Sequence, residues 1–366
     1  MHRRNFIMAG ASLTAIAAMP RLSHAQSPAP LEPKPGRWRN FEVVTKLEVA
    51  SGGNKAQAWI PVPSVNEADW FKSNDSKWTT NGKASLKRDP KYNAAFVHVE
   101  WEASEPAPAI AIVSRVSAQD RAVDLAKPGK AAALSEADRK LYTGPTRLIP
   151  TGGIVKATSD RIVGGARTDQ EKAQKIYDWV VENTYRNAKT RGCGTGDVAA
   201  MLTSGNLNGK CADLNALYVG LARAAGLPAR DVYGIRMVPS KFGYKSLGAG
   251  SENITRAQHC RAEVFLNGLG WVPVDPADVR KVILEEPPAN LAIDDPKVVS
   301  ARKALFGGWE GNWLAYNFAH DIALPGAKGP ELEFLMYPQA ETVAGRLDCL
   351  DPDTFKYTIT AKEVNV

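Results

Sequence analysis

Two segments of this chain carry residue types able to attack and transfer an acyl group. The first is Gly209-Lys210-Cys211-Ala212-Asp213-Leu214-Asn215-Ala216-Leu217-Tyr218. After Cys211 the apolar Leu214, Leu217, Tyr218, Leu221 and Ala225 recur at the three-and-four spacing of one helical face, and Gly226 with Pro228 supplies a stop. The spacing therefore predicts a helix with Cys211 in its first turn. Unpaired amides and the positive end of the helix dipole lie there, and both favour a thiolate. The same facts fit a small buried residue capping a core helix. The second segment, Gln258 to Pro276, reads as a β-hairpin turning at Asn267-Gly268. His259 and Asp275 lie eight residues either side of Asn267, so closing the hairpin brings them nearly opposite each other. Neighbouring strands run about 4.8 Å apart, close enough for a carboxylate to hold an imidazole. Thiolate, imidazole and carboxylate then make a nucleophile, a base and an orienting group.

Taken together, Gly209-Lys210-Cys211, Arg223-Ala224-Ala225-Gly226-Leu227-Pro228-Ala229-Arg230, His259 and Gly270-Trp271-Val272-Pro273-Val274-Asp275-Pro276 resemble the transglutaminase-like superfamily of papain-like cysteine enzymes. The resemblance spans roughly residues 165 to 280. It implies a catalytic triad of Cys211, His259 and Asp275. It also implies an α+β fold with a papain-like, transglutaminase-like core, in which an antiparallel sheet packs on the nucleophile's helix.

Those elements sit inside a longer chain. The first residues, with Arg3-Arg4-Asn5-Phe6-Ile7, an apolar run from Met8 to Met19 and Ser23-His24-Ala25, read as a twin-arginine export signal cut after Ala25. The expected location is the periplasm, with no membrane span once the signal is cleaved. Removing residues 1–25 takes away Arg3, Arg4 and Arg21 and no acid, so the net charge falls from +7 to +4. That mild excess, without a dense basic block, argues against nucleic acid as a partner.

Residues 26–36 are a proline-rich tether. Alternating runs between 37 and 125 predict an N-terminal β-domain of sandwich type, in which Trp70 and Trp78 are either core residues or an exposed recognition surface. Residues 126–160 read as a linker with a short helix from Ser135, and 161–366 as the catalytic domain. In that domain Thr168 to Glu171 forms a capping box, and Asp197 caps a short helix. Trp313 to Ile322 and Leu332 to Tyr337 are expected as added strands of the core sheet, and Thr354 to Val366 as one more edge strand.

The other candidates divide similarly. Pro239 to Ala257 suggests a mobile loop at the cleft mouth, while Arg230, Arg236, Arg256 and Arg261 could bind a substrate carboxylate or form structural ion pairs. His98 reads as packed or surface. His320-Asp321 is a rival base pair, set aside because its flanks do not match the family pattern. The four cysteines, 193, 211, 260 and 349, are too scattered for a disulfide scaffold; Cys193 and Cys260 could meet near the cleft, and Cys260 is expected to face away from His259. Candidate oxyanion donors are the Cys211 amide, then Tyr185 or an amide of the Gly192 to Gly196 loop. No metal or organic cofactor is expected.

The function these readings imply is hydrolysis of peptide or isopeptide bonds through a thioester. The substrate is a peptide or protein, with cell-wall peptide suggested by location. Protein cross-linking by transamidation and a non-catalytic peptide- or wall-binding role are the alternatives. Oligomeric state leaves no mark in the sequence.

Overall fold

The computed structural model describes residues 30–129 and 131–365. The expected export signal and the start of the expected tether lie outside the described residues. The α-helices among the described residues are α1 (Glu136–Thr143), α2 (Gly153–Val163), α3 (Asp169–Asn183), α4 (Val198–Ser204), α5 (Cys211–Ala224), α6 (Pro276–Glu285) and α7 (Pro296–Ala304).

Helix α5 is the centre of the molecule: every one of its residues from Cys211 to Ala224 is buried. A helix buried on all sides needs apolar partners all round, and α5 has them. One side meets an antiparallel four-stranded sheet ordered Gly270–Val274, Gln258–Leu266, Ala229–Arg236 and Trp313–Asn317. The others meet α2, α3 and α6. Leu217, Tyr218, Val219 and Leu221 are completely buried in this core. Removal of a side chain such as Leu217 would cost about 2–5 kcal/mol in lost burial and cavity. Such packing holds the amino end of α5, and so Cys211, in one place.

The expected hairpin forms, with Ala262 opposite Val274 and Leu266 opposite Gly270 across a turn in which Gly268 adopts φ +80°. Asp275, expected on the second strand, lies one residue past it and is the N-cap of α6, accepting a hydrogen bond from Asp278 N–H at 3.0 Å. Pro276 at the first helical position explains the switch, because its preset φ starts a helix and its missing N–H cannot extend a ladder.

Two five-stranded sheets make the N-terminal module. Their orders are Lys356–Val364, Arg39–Glu48, Ala109–Ala118, Phe71–Thr80, Asn66–Glu67, and Gly345–Arg346, Gln339–Thr342, Ala56–Pro61, Ala95–Trp101, Lys83–Arg88. The chain's last strands therefore return to the first module instead of extending the four-stranded sheet. Of the segments expected on that sheet, Trp313–Asn317 joins it, whereas His320–Ile322 pairs with Leu332–Phe334 in a separate ribbon.

The expected linker is helical over α2, whose Ser159 hydroxyl donates to Leu221 O at 2.8 Å. Tertiary docking onto α5 supplies what its own weak apolar pattern lacks. Ser135 and Asp197 cap α1 and α4 as their positions suggested. At α3 the Thr168 hydroxyl accepts from Glu171 N–H, but the Glu171 carboxylate reaches back to Arg167 N–H at 2.6 Å rather than to the cap residue.

Trp70 is not an exposed recognition residue. It is buried against Trp309 and Trp313, with ring centroids 5.1 and 6.5 Å away. His98 is packed, stacked on Trp59 at 5.3 Å. The joint between this module and the four-stranded sheet is charged and buried. Arg121 pairs with Glu263, and Arg230 pairs with Glu263 at 2.5 Å and Glu67 at 2.9 Å. Arg230 is thus a structural ion-pair residue, further stacked on Phe318 at 3.7 Å from the ring centroid.

Candidate functional site

Cys211 occupies the first position of α5, and His259 the second residue of the strand packed on that helix. Both are buried, and both line a cavity of about 910 Å³. His259 Nε2 lies 2.8 Å from Asp275 Oδ2, and its backbone carbonyl accepts from Trp313 Nε1 at 3.1 Å. The three residues singled out by their spacing are therefore brought to one place. The rival His320 is not: its Nε2 faces Asp231 Oδ2 at 3.2 Å, while Asp321 accepts from Arg147 N–H at 3.0 Å.

Several participants escaped sequence reasoning. Asp278 Oδ2 sits 3.3 Å from His259 Nε2 and its other oxygen 2.5 Å from Arg236 Nη2, so two carboxylates share one imidazole. The signal was present, since an acid three residues after an N-cap aspartate faces the same way. Asn215, one turn after Cys211, donates to Cys260 O at 2.8 Å and to Asp275 Oδ1 at 3.3 Å. Its i, i+4 relation to Cys211 was legible, its partners were not.

Cys193, expected only as a residue that could meet Cys260 near the cleft, also reaches Cys211. The Sγ atoms of Cys193, Cys211 and Cys260 all lie within 4.8 Å of one another, with no disulfide among them. Cys260 is buried and turned toward Cys211, beside Met336 Sδ at 3.9 Å. What delivers Cys193 is a clamp. Asp213 Oδ1 accepts from Thr195 and Gly196 N–H at 3.0 Å each, its Oδ2 accepts from Lys210 N–H at 3.0 Å, and Ala212 N–H donates to Cys193 O at 2.9 Å. Gly194, at φ +93°, is required there, because a Cβ would lie 1.8 Å from the Asp213 carboxylate.

The electrostatics follow from these contacts. Hydrogen bonds from the Cys193 and Cys260 thiols, opposed by burial and supported by His259, hold the Cys211 thiol well below its ordinary value. Its partner Cys193 is pushed up, chiefly by the hydrogen bond it gives to that sulfur. Burial and Arg236 push His259 down, but Asp278 and Asp275 outweigh them and raise it to about 9. Asp275 is itself pushed up by burial and by the Asp278 charge. Asp278 is held well below the usual range, because Arg236 and then His259 overcome its burial. The two shifts, Cys211 downward and His259 upward, both favour a thiolate beside an imidazolium.

Two sets could offer metal ligands: the three thiols, a soft set, and His259 with Asp275 and Asp278. In the second, Arg236 already supplies a compensating cation. Of the proposed oxyanion donors, Tyr185 is 58% exposed and absent from the cavity lining. The amides of Gly194, Thr195 and Gly196 are spent on Arg191 O and Asp213. Arg236 and Arg261 are buried structural cations, Arg261 lying 4.7 Å from the Trp313 ring centroid and 3.7 Å from Asp275 Oδ2. Arg256 is the exposed arginine of the group and lines the cavity, as do several residues of the Pro239 to Ala257 segment.

Comparison with known proteins identifies the family of the chain. The model of the transglutaminase-like superfamily core matches residues 156–276. An uncharacterized protein of Haemophilus influenzae is 34% identical over 369 residues, covering 96% of this chain and 99% of its own. The crystal structure of a candidate cysteine protease from Cytophaga hutchinsonii superposes with a TM-score of 0.51 at 14% identity, over 89% of this chain and 99% of that one. The periplasmic domain of TgpA from Pseudomonas aeruginosa aligns with a TM-score of 0.35 at 14% identity, over 67% and 88% of the two chains. The chain belongs to the transglutaminase-like superfamily, within the wider group of papain-like cysteine enzymes. No helix among the described residues is long and apolar enough to cross a membrane.

Proposed function

We propose that the protein is an exported cysteine hydrolase that cleaves peptide or isopeptide amide bonds with Cys211 as nucleophile, His259 as acid and base, and Asp275 as the group that orients the imidazole. The observation that carries this reading is the buried His259 Nε2–Asp275 Oδ2 contact of 2.8 Å beside a thiol at a helix start. With Nε2 bound to the carboxylate, Nδ1 is left for the sulfur. The Cys211 thiolate adds to the amide carbonyl, and the tetrahedral oxyanion forms next to the amide of Cys211 itself. His259 then gives its proton to the departing amine, leaving a thioester. Water deprotonated by His259 resolves that thioester and regenerates the thiolate.

Hydrolysis is favoured over transamidation because the cavity is bounded by the exposed Ser251, Asn253 and Arg256, where water is the abundant acceptor. The export assignment rests on residues 1–25, and the peptide nature of the substrate on the chemistry of the nucleophile. The test is the pH dependence of iodoacetamide alkylation at each cysteine, read by peptide mass mapping beside His259→Ala. Cys211 should react fastest, well below the ordinary thiol pKa of about 8.5, and slow when the imidazole is removed. Alkylation of Cys211 no faster than Cys349, unchanged in His259→Ala, would overturn the proposal.

A further inference from the structure

The cavity in front of Cys211 is lined by six cationic side chains, Arg186, Arg191, Lys210, Arg236, Arg256 and Lys281, and among the described residues by no aspartate or glutamate. Chance does not easily give such a lining, since the sequence holds 46 basic and 39 acidic residues in near balance. Four of the six have carboxylate partners that do not themselves line the cavity. Arg186 and Lys281 share Glu285, Arg191 meets Asp348, and Arg236 meets Asp278. These three acids leave the wall three positive charges in excess. Lys210 and Arg256 have no carboxylate partner among the described residues, and Arg256 is exposed in the cavity.

The placement of those two is informative. Lys210 immediately precedes the nucleophile at the start of α5, and Arg256 comes three residues before His259 on the approach to its strand. One free cation thus accompanies each partner of the reacting pair. Lys281 adds a third, conditional charge. Burial and then Arg236 bring it down to about 8, so an arriving anion would hold it protonated. A cleft lined by one sign of charge concentrates ligands of the other sign and repels its own.

We infer that the substrate is an acidic peptide whose carboxylates flank the scissile amide and are received by Lys210 and Arg256. The inference rests on the reading of Cys211 as a thiolate nucleophile and adds the class of acyl donor it meets. A bidentate guanidinium–carboxylate contact at Arg256 would fix the register of the peptide, while Lys210 supplies a point charge beside the attacked carbonyl. The same wall disfavours a lysine- or arginine-rich peptide.

The test needs no knowledge of the natural substrate. Iodoacetate and iodoacetamide alkylate the same sulfur and differ in carrying or lacking a carboxylate. Their rate ratio at Cys211, divided by the ratio at N-acetylcysteine, reads the field of the cleft, while the iodoacetamide rate alone reads the thiolate. Both are measured in the full chain at low salt, at a pH where the thiolate is complete.

The normalised ratio is expected to exceed one and to fall by about threefold in Lys210→Gln and again in Arg256→Gln, the size of one charge at cleft distances. In the unaltered protein it should fall as added salt shortens the screening length from about 30 Å at 0.01 M to about 8 Å at 0.15 M. A short capped polyglutamate peptide should protect Cys211 from iodoacetamide where its polyglutamine counterpart does not. A ratio indifferent to both variants and to salt, with fast iodoacetamide alkylation, overturns the acidic-substrate inference and leaves the nucleophile standing. Slow alkylation by both reagents overturns the nucleophile and this inference with it.

Discussion

Replacing Asp275 by Asn separates the two tasks this residue performs. Oδ1 accepts from Asp278 N–H at 3.0 Å and caps α6, whereas Oδ2 accepts from His259 Nε2 at 2.8 Å. Asparagine is as good an N-cap as aspartate, so the helix keeps its start. The amide nitrogen in place of Oδ2 is a donor and cannot accept from a protonated imidazole. The lost interaction is a charge-assisted hydrogen bond, about 1.5–3 kcal/mol, or roughly one to two pKa units at 1.36 kcal/mol per unit. Asp278, 3.3 Å from the same nitrogen, limits the loss to that range.

His259 should therefore fall from about 9 toward neutrality, and the Cys211 thiolate, having lost its counter-ion, should rise by a similar amount. At a pH below the thiol's new pKa, iodoacetamide alkylation of Cys211 slows by about ten- to a hundredfold. Stability moves the other way. Burial and the Asp278 charge raise Asp275 above its ordinary value, so its charged form is disfavoured in the fold and neutralising it should leave the urea midpoint unchanged or higher. Asp278→Asn is the contrast, because Arg236 holds that carboxylate low and would be left as an uncompensated buried cation, at a cost of about 3–5 kcal/mol. An Asp275→Asn protein that alkylates like the parent, or that unfolds as early as Asp278→Asn, refutes this division of labour.

Turnover and alkylation should part at high pH. Amide cleavage needs the imidazolium proton and should decline as pH passes about 9, while alkylation needs only the thiolate and should not. A parallel decline of both counts against His259 as the acid. Cys193→Ala removes the largest of the hydrogen bonds that hold the Cys211 thiol low, so the alkylation profile should move to higher pH, whereas Cys193→Ser, which keeps a donor, should move it less. Equal profiles for the two variants would dismiss the thiol's role. Gly194→Ala forces a Cβ to 1.8 Å from the Asp213 carboxylate at φ +93°. It should lower stability by about 1–3 kcal/mol and shift the Cys211 profile as Cys193→Ala does, by displacing the loop. A variant with parental urea midpoint would show that the clamp is soft.

What was legible in the sequence was local. The helix from Cys211, the turn at Asn267-Gly268 and the caps at Ser135 and Asp197 each depend on neighbours a few residues away, and each forms. Asp275 marks the limit, since the same short segment reads as a strand or as a helix start, and Pro276 tips it to the latter. The Cys193 cluster was only half visible. Its loop carries no periodicity, and its position depends on one carboxylate, Asp213, which accepts three backbone N–H groups from two separate segments. Trp70 read equally as a core residue or an exposed aromatic because it lies in a turn between two strands, where no alternation marks an inward face. Its burial comes from Trp309 and Trp313, more than two hundred residues away.

The return of the last strands to the first module changes what that module does. Lys356–Val364 pairs along its whole length with Arg39–Glu48, from Glu48 opposite Lys356 to Asn40 opposite Val364. Tyr357 and Thr358 on that strand line the same cavity as Cys211. The N-terminal sheet therefore builds one wall of the cleft, through a strand borrowed from the other end of the chain. The second connection, the buried Arg121–Glu263–Arg230–Glu67 chain of charges, ties the same module to the strand that carries His259. A buried ionic network of this kind contributes little net stability against an apolar replacement but strongly disfavours any arrangement that leaves one member unpaired. Its effect is to set the relative position of the two parts. The wall bearing Tyr357 and the strand bearing His259 can then hold their spacing without a flexible hinge between them, as a cleft that orients a scissile amide to within a fraction of an ångström requires.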